Sequence, residues 1–314
     1  ISPCRLEHFS VAHAAYGVLI TSTQTTTIRH SQLLHCRYPV FAARSGPVRL
    51  QNVLIQSVRA NGFALASAGA QSFAGEHVTV HDAPALYAGA LVALTNSLIA
   101  GVPSIASFAA AHSAIYPSAE GVLASGAGGC AYLAPASPAR NCGTPSIDPA
   151  LRSELARRTT DPPLALSGEI RSSTRLHPAA QRDSDDLDIG YHYPALDYYT
   201  AGLRLAAATL EIAPGVALGC PATASVRLES GSRVICRGSP LTRNHIVSMA
   251  LFEDPLHPVP SPPSARAIFT ADASPSPAPE LEIAWTDIDF PASPISRRQL
   301  IPAGDCFLGR LAVR

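Results

Sequence analysis

Apolar residues return in a short, regular beat along the first hundred positions. Aligning LEHFSV (6–11), IRHSQL (28–33), LQNVLI (50–55), FAGEHV (73–78) and LTNSLI (94–99) puts an apolar residue first and last in every hexamer. The hexamers start 22, 22, 23 and 21 residues apart, and their third place reads His8, His30, Asn52, Gly75 and Asn96. A second apolar patch follows, as in GVLI (17–20), PVFA (39–42) and GFAL (62–65). A period near 22 is too short for a helix pair, and β-rich runs broken by Gly, Asn and Ser predict strands. The frame of leucine-rich repeats is missing. One coil turn per repeat would stack equivalent residues one strand spacing apart, about 4.8 Å. Apolar columns would then fill the interior, and Asn or His could hydrogen-bond along a ladder. The prediction is an all-β fold, a parallel β-helix with about 22 residues per rung over 1–102.

Between 103 and 196 the beat lapses into an irregular, Gly/Ala/Ser-rich insertion. One helix stands out within it, at 148–158. Asp148 is its N-cap, Pro149 sits at N1, Leu151 and Leu155 mark one face, and Arg157 and Arg158 suit its C-terminus. Strands resume over 197–314. Leu203, Leu205, Leu210 and Ile212 recur as Val226, Leu228, Val234 and Cys236, and LEIAWTDIDF (281–290) alternates like a further strand. Pro/Ser-rich loops, EDPLHPVPSPPSA and ADASPSPAPE, flank RAIFT.

The order of these pieces resembles large exported bacterial proteins of the right-handed parallel β-helix repeat type, which carry no assigned activity. The segments DIGYHYP (188–194) and YLAPASPARNCGT (132–144) carry the resemblance most specifically. It implies a right-handed coil and a secreted or cell-surface setting, and it transfers no catalytic residue.

Composition narrows the function classes. Charged residues are 15% of the chain and balance to a net charge of zero, which argues against a nucleic-acid partner. Every one of the 23 basic residues is Arg, so Schiff-base and P-loop lysine chemistry are excluded. No apolar run is long enough for a membrane span. The chain begins without Met and ends on a strand-like pattern, as a piece of a longer protein would. Seven Cys stand at 4, 36, 130, 142, 220, 236 and 306 without a C-x-x-C. Cys130/Cys142 and Cys220/Cys236 could each close a short loop, or all seven could be small core residues.

The densest candidate chemistry is RDSDDLDIGYHYP (182–194), where Asp183, Asp185, Asp186 and Asp188 offer oxygen ligands of the kind Ca²⁺ takes. The EF-hand frame fails there, and GGxGxD repeats are absent. The competing reading is structural: a polar loop leads into an aromatic segment that re-docks on the coil with His192 packed inside. His8/His30 and His13/His35 form two columns one rung apart, either a polar ladder or a partial metal array. Carbohydrate chemistry would need paired carboxylates. The outward column reads Glu7, Arg29, Gln51, Ala74, Thr95, with one acid only; Glu76 and Asp82 have no partner in register, and no acid flanks Arg29. No catalytic, cofactor-binding or metal residue is assigned. The expected function is a structural, adhesive or glycan-binding segment, with polysaccharide or cell-surface glycan as partner. The alternative is a carbohydrate-active enzyme, a polysaccharide lyase or glycoside hydrolase working on the coil face. Oligomeric state is not legible.

Overall fold

The computed structural model describes residues 4–44, 46–105, 108–220, 226–248, 268–271 and 277–289. Cys306 and the loop 253–265 lie outside the described residues. The chain divides into two units, 1–126 with 130–161 and 181–194, and 127–129 with 162–180 and 195–314. Both are built from parallel β-sheet, and the one α-helix among the described residues is Pro149–Leu155.

In the first unit an eleven-stranded sheet runs in three columns of parallel strands. The first column takes Cys4–Glu7, the front halves of Thr26–Leu34 and Val48–Gln56, the middle of Leu65–His81, then Tyr87–Thr95 and Ala109–Ala111. The second takes Ser10–Ala12, the back halves of those long strands, Leu98–Ala100 and Ala114–Tyr116. The third stacks Tyr16–Ile20 on Tyr38–Ala42 and on the start of Leu65–His81. Two strands of this sheet thus follow residue 102, where the sequence pattern had lapsed: pairing Leu94 with Ala110 needs a repeat much shorter than 22.

Each corner between the first two columns is a residue in the left-handed region: His8, His30, Asn52, His77, Asn96 and His112, with φ between 48° and 57°. Asn and His tolerate this conformation better than most side chains. The corner also flips the strand phase. Leu50 and Ile55 both point inward although five residues apart, and both are fully buried. That is why the hexamer has apolar ends.

The register corrects one rung. Leu6, Ile28, Leu50, Gly75 and Leu94 pair in sequence, so the fourth hexamer is GEHVTV (75–80), two residues later than the apolar pattern suggests. Phe73, buried like a rung's first residue, pairs instead with Val48. That inward place holds Gly because a Cβ there would lie 2.6 Å from Leu94 Cδ2 and 2.9 Å from Val78 Cγ2. The correction moves His77, not Gly75, into the corner column. It also makes the outward column Glu7, Arg29, Gln51, Glu76, Thr95.

The second unit holds a seven-stranded and a four-stranded parallel sheet. Leu205 pairs with Leu228, Leu210 with Val234 and Ile212 with Cys236, the recurrence seen in the sequence. Two strands of these sheets come from the segment expected to be insertion: Leu164–Ile170 on Tyr198–Leu205, and Thr174–Leu176 on Thr209–Ile212. LEIAWTDIDF is two strands, Glu280–Ala284 and Thr286–Asp289, separated at Trp285 with φ 50°.

Candidate functional site

The outer side of the first unit's second column is not open to solvent. Residues 130–161 and 181–194 lie over it as a cover. Leu34 and Leu54 point outward into a cluster with Ala131, Tyr132, Tyr191 and Tyr193, and Leu98 meets Val122, Leu133, Ala139 and Ile189. The helix closes one end. Asp148 Oδ1 accepts from the amides of Ala150 (2.8 Å) and Leu151 (3.1 Å), and Leu151 and Leu155 bury against Ile147 and Leu187. It ends at Leu155, so Arg157 lies beyond it and Arg158 belongs to a short strand with Thr159, antiparallel to Tyr193–Pro194.

The segment DIGYHYP climbs across the rungs on the corner column. Asn96 Oδ1 accepts from Thr144 N (2.8 Å) and its Nδ2 donates to Thr144 O (2.8 Å). Gly190 N donates to Asn96 O (2.8 Å) and Tyr191 N to Thr79 Oγ1 (2.8 Å). Asn52 Oδ1 accepts from His192 N (2.7 Å) while its Nδ2 donates to His192 O (2.9 Å). Each Asn side chain thereby pairs with cover backbone as a strand would. Gly190, at φ 97°, passes where a Cβ would lie 2.7 Å from Thr79 Oγ1.

The four aspartates divide by environment. Asp183 is buried; its Oδ2 meets His192 Nε2 at 2.5 Å and accepts from Asp188 N (3.0 Å). His192 Nδ1 donates to the Gly190 carbonyl at 3.0 Å, and its ring is fully buried. Asp188 accepts from Asn141 N (2.8 Å) and from the Thr160 hydroxyl, with Arg140 Nη1 3.6 Å away. Burial pushes the Asp188 carboxyl above its ordinary range, against the pull of those donors. Asp185 and Asp186 are exposed. Asp183, Asp185 and Asp188 border a polar cleft with Arg140, Thr160 and Asp161 on its wall. Arg140 Nη2 donates to Asp161 Oδ1 at 2.6 Å, so that acid is paired as well.

The outward first column is equally engaged. The helix brings Glu154 onto Arg29, whose Nη2 donates at 3.1 Å, and onto His30 Nε2. Arg29 therefore does have an acidic neighbour, supplied from far along the chain, and it is buried and paired rather than poised as a base. Glu76 accepts from Gln51 Nε2 (2.9 Å) and from Asp148 N (3.1 Å), so it too has partners, in register and from the cover. Burial, with the nearby Arg158 charge, pushes His30 from 6.5 down to about 4. Burial raises Glu154, but His30 and Arg29 outweigh it and hold the carboxyl below the usual range.

The histidine columns stack instead of converging. Ring centroids are 5.1 Å apart for His8/His30 and 4.8 Å for His13/His35. Asp82 is the next corner but one in the His13/His35 column, at φ 55°. Among the described residues no three His, Cys, Asp or Glu gather as a metal site. Cys142, Cys220 and Cys236 are free thiols, so neither suggested short loop is closed by a disulfide. No described helix is long and apolar enough to cross a membrane.

The apolar pattern found His8, His30, Asn52 and Asn96 but missed His77, because the longer third repeat shifted the frame, and His112, because the repeat after Asn96 is much shorter. Thr79 and Glu154 carried no sequence signal, since their partners lie more than a hundred residues away. No protein-family model, curated protein or solved structure matches the chain.

Proposed function

We propose that the chain is a right-handed parallel β-helix segment of an exported protein, serving as a structural or glycan-binding scaffold. The observation that carries this reading is the mutual pairing of the coil-face groups: Arg29 and His30 with Glu154, and Gln51 and Glu76 with Asp148. None is left to act as an acid–base pair. Right-handedness rests on the strong general preference of crossovers between parallel strands. A binding role draws support from an aromatic ledge on the third column. Tyr16 stacks on Tyr38 at 5.4 Å, Phe41 meets both edge-on, and the Arg37 guanidinium lies 5.2 Å from the Tyr38 ring centroid. Tyr16 and Leu19 are 45% and 52% exposed, and such a surface offers π faces to sugar C–H groups and donors to their oxygens.

The second reading, a polysaccharide lyase or glycoside hydrolase, draws on the cleft beside Asp161, Asp183, Asp185 and Asp188. One experiment separates the two. Folded protein is incubated with polyuronates and neutral polysaccharides, with Ca²⁺ and with chelator, scoring both retention and product release. Retention without cleavage, weakened by Tyr16→Ala, is the expected result. Calcium-dependent product would replace it with the lyase reading, and neither retention nor cleavage would leave the structural role alone.

A further inference from the structure

The corner ladder fixes the protonation of two histidines by hydrogen-bond logic. Asn52 has its amide orientation set by the His192 backbone, Oδ1 toward N–H and Nδ2 toward C=O. The remaining N–H of Nδ2 faces His30 Nδ1 at 3.1 Å, so Nδ1 must be a bare acceptor, with the ring proton on Nε2 toward Glu154. Asn96 repeats the arrangement. Thr144 orients its amide, and Nδ2 lies 3.0 Å from His77 Nε2, which must likewise be unprotonated. A proton added at either acceptor sets donor against donor. Turning the Asn amide over would relieve that clash but would set its NH₂ against the cover's N–H and its oxygen against the cover's carbonyl. Each proton added at His30 Nδ1 or His77 Nε2 therefore works against the docked cover.

We propose that the cover, residues 130–161 and 181–194, is an acid-released strap whose docking on the sheet is coupled to the neutral state of His30 and His77. The groups around each ring support the coupling. His30 sees Arg29 and the stacked His8 ring from its own sheet, Glu154 from the helix, and Arg158 from the cover's short strand. Glu154 alone favours the proton; the two arginines and burial oppose it. His77 sees the His192 ring edge-on at 5.0 Å, with Asp183 beyond that ring, and the Gly190 carbonyl. It is fully buried, and burial holds it well below the ordinary range. Once the cover lifts, both rings meet water and regain ordinary behaviour near 6.5. Below that pH the open form takes up protons that the closed form refuses, so closure weakens as pH falls. The His30 share of the loss levels off near pH 4, where His30 of the closed form titrates itself, while the His77 share, held lower still, continues. With two protons taken up, the opening equilibrium rises by up to about 100-fold per pH unit within this window. Opening would bare the outward Leu34, Leu54 and Leu98 and the tyrosines above them.

The test is hydrogen exchange on the intact chain at pH 7.5 and pH 5, corrected for intrinsic rates. The amides of Thr144, Gly190, Tyr191 and His192 report the cover, and those of residues 53–55 report the sheet. The expected result is a loss of at least about 100-fold in protection at the cover with the sheet retained. Unchanged protection at the cover, or loss from cover and sheet together, would overturn the proposal. A His30→Asn/His77→Asn variant places in both positions the residue the ladder already uses at Asn52 and Asn96. Its cover should be indifferent to pH, and a response equal to the parent's would also overturn the proposal. The parent measurement decides the matter by itself if that variant does not fold.

Discussion

The two units share an inward rule and finish their outer surfaces in opposite ways. In the first, outward residues such as Arg29, Gln51, Asn52, Thr79 and Asn96 are buried, because the cover lies on them and every one is hydrogen-bonded. In the second, the outward positions of the four-stranded sheet carry Arg175 against Glu211 and Arg233 and Arg237 against Glu282, all bordering water. The inner stripes are interchangeable in kind: Ile28, Leu50 and Leu94 in one, Leu210, Val234 and Leu281 in the other. Stacking apolar residues in register is thus enough to build either sheet. What distinguishes the units is whether the outside is solved with solvated charge or with buried amides. Solvated pairs contribute little and tolerate change, whereas buried amides are costly when left unmatched.

The largest expected effect lies on the shared rule. Ile55→Asp or Val78→Asp buries a carboxylate with no partner at a fully enclosed site. The cost, several kcal/mol, is comparable with the whole stability of a domain, so the first unit should not fold. Circular dichroism and recovery of soluble protein report this, and a variant melting like the parent would show that these residues do not face the interior.

A smaller effect separates the two outsides. Asn52→Ala strips both partners from the His192 backbone and leaves Ala at φ 55°, for a loss of about 3–5 kcal/mol in denaturant unfolding. Asn244→Ala, in the second unit, removes longer bonds to Val216 N (3.2 Å) and Ile212 O (3.4 Å) and should cost about 1–2 kcal/mol. Equal losses would mean that the Asn52 clamp is no stronger than an ordinary buried amide, and the contrast between the units would lose its basis.

The sheets were legible in the sequence because their signal is local: an apolar first place, a corner residue and an apolar last place within six residues. Where that signal failed, the reason was a long-range contact. Gly75 looked like a corner because Phe73 is apolar, and its pairing with Leu50 and Leu94 shows it to be an inward residue, with no room left for a Cβ. Strand Leu164–Ile170 was hidden because several of its residues are exposed and its partner begins at Tyr198. The candidate site was half visible. The four Asp and His192 attracted notice as a cluster, yet nothing local separates buried Asp183 and Asp188 from exposed Asp185 and Asp186. That division is made by Arg140, Asn141, Thr160 and the Arg158 carbonyl, brought in from elsewhere in the chain.

The smallest effects belong to the solvated groups. Arg237→Ala removes a forked pair with Glu282, whose Nη2–Oε2 arm is 2.7 Å, but both side chains stand in water. Its melting point should shift slightly, and the shift should vanish in high salt, where screening already weakens the pair. Asp185→Asn/Asp186→Asn should be quieter still, because neither carboxylate has a buried role. Parent and variant should melt together within the scatter of repeated scans, and added Ca²⁺ should move neither curve. An ion held by this stretch would behave differently. It would raise the parent's melting point in proportion to the logarithm of Ca²⁺ concentration above its dissociation constant, since a ligand that binds only the folded form adds stability by mass action. The double variant would lose that rise. Such a pair of curves would turn the exposed half of the acidic segment into a calcium site, while Asp183 and Asp188 would remain internal braces of the cover.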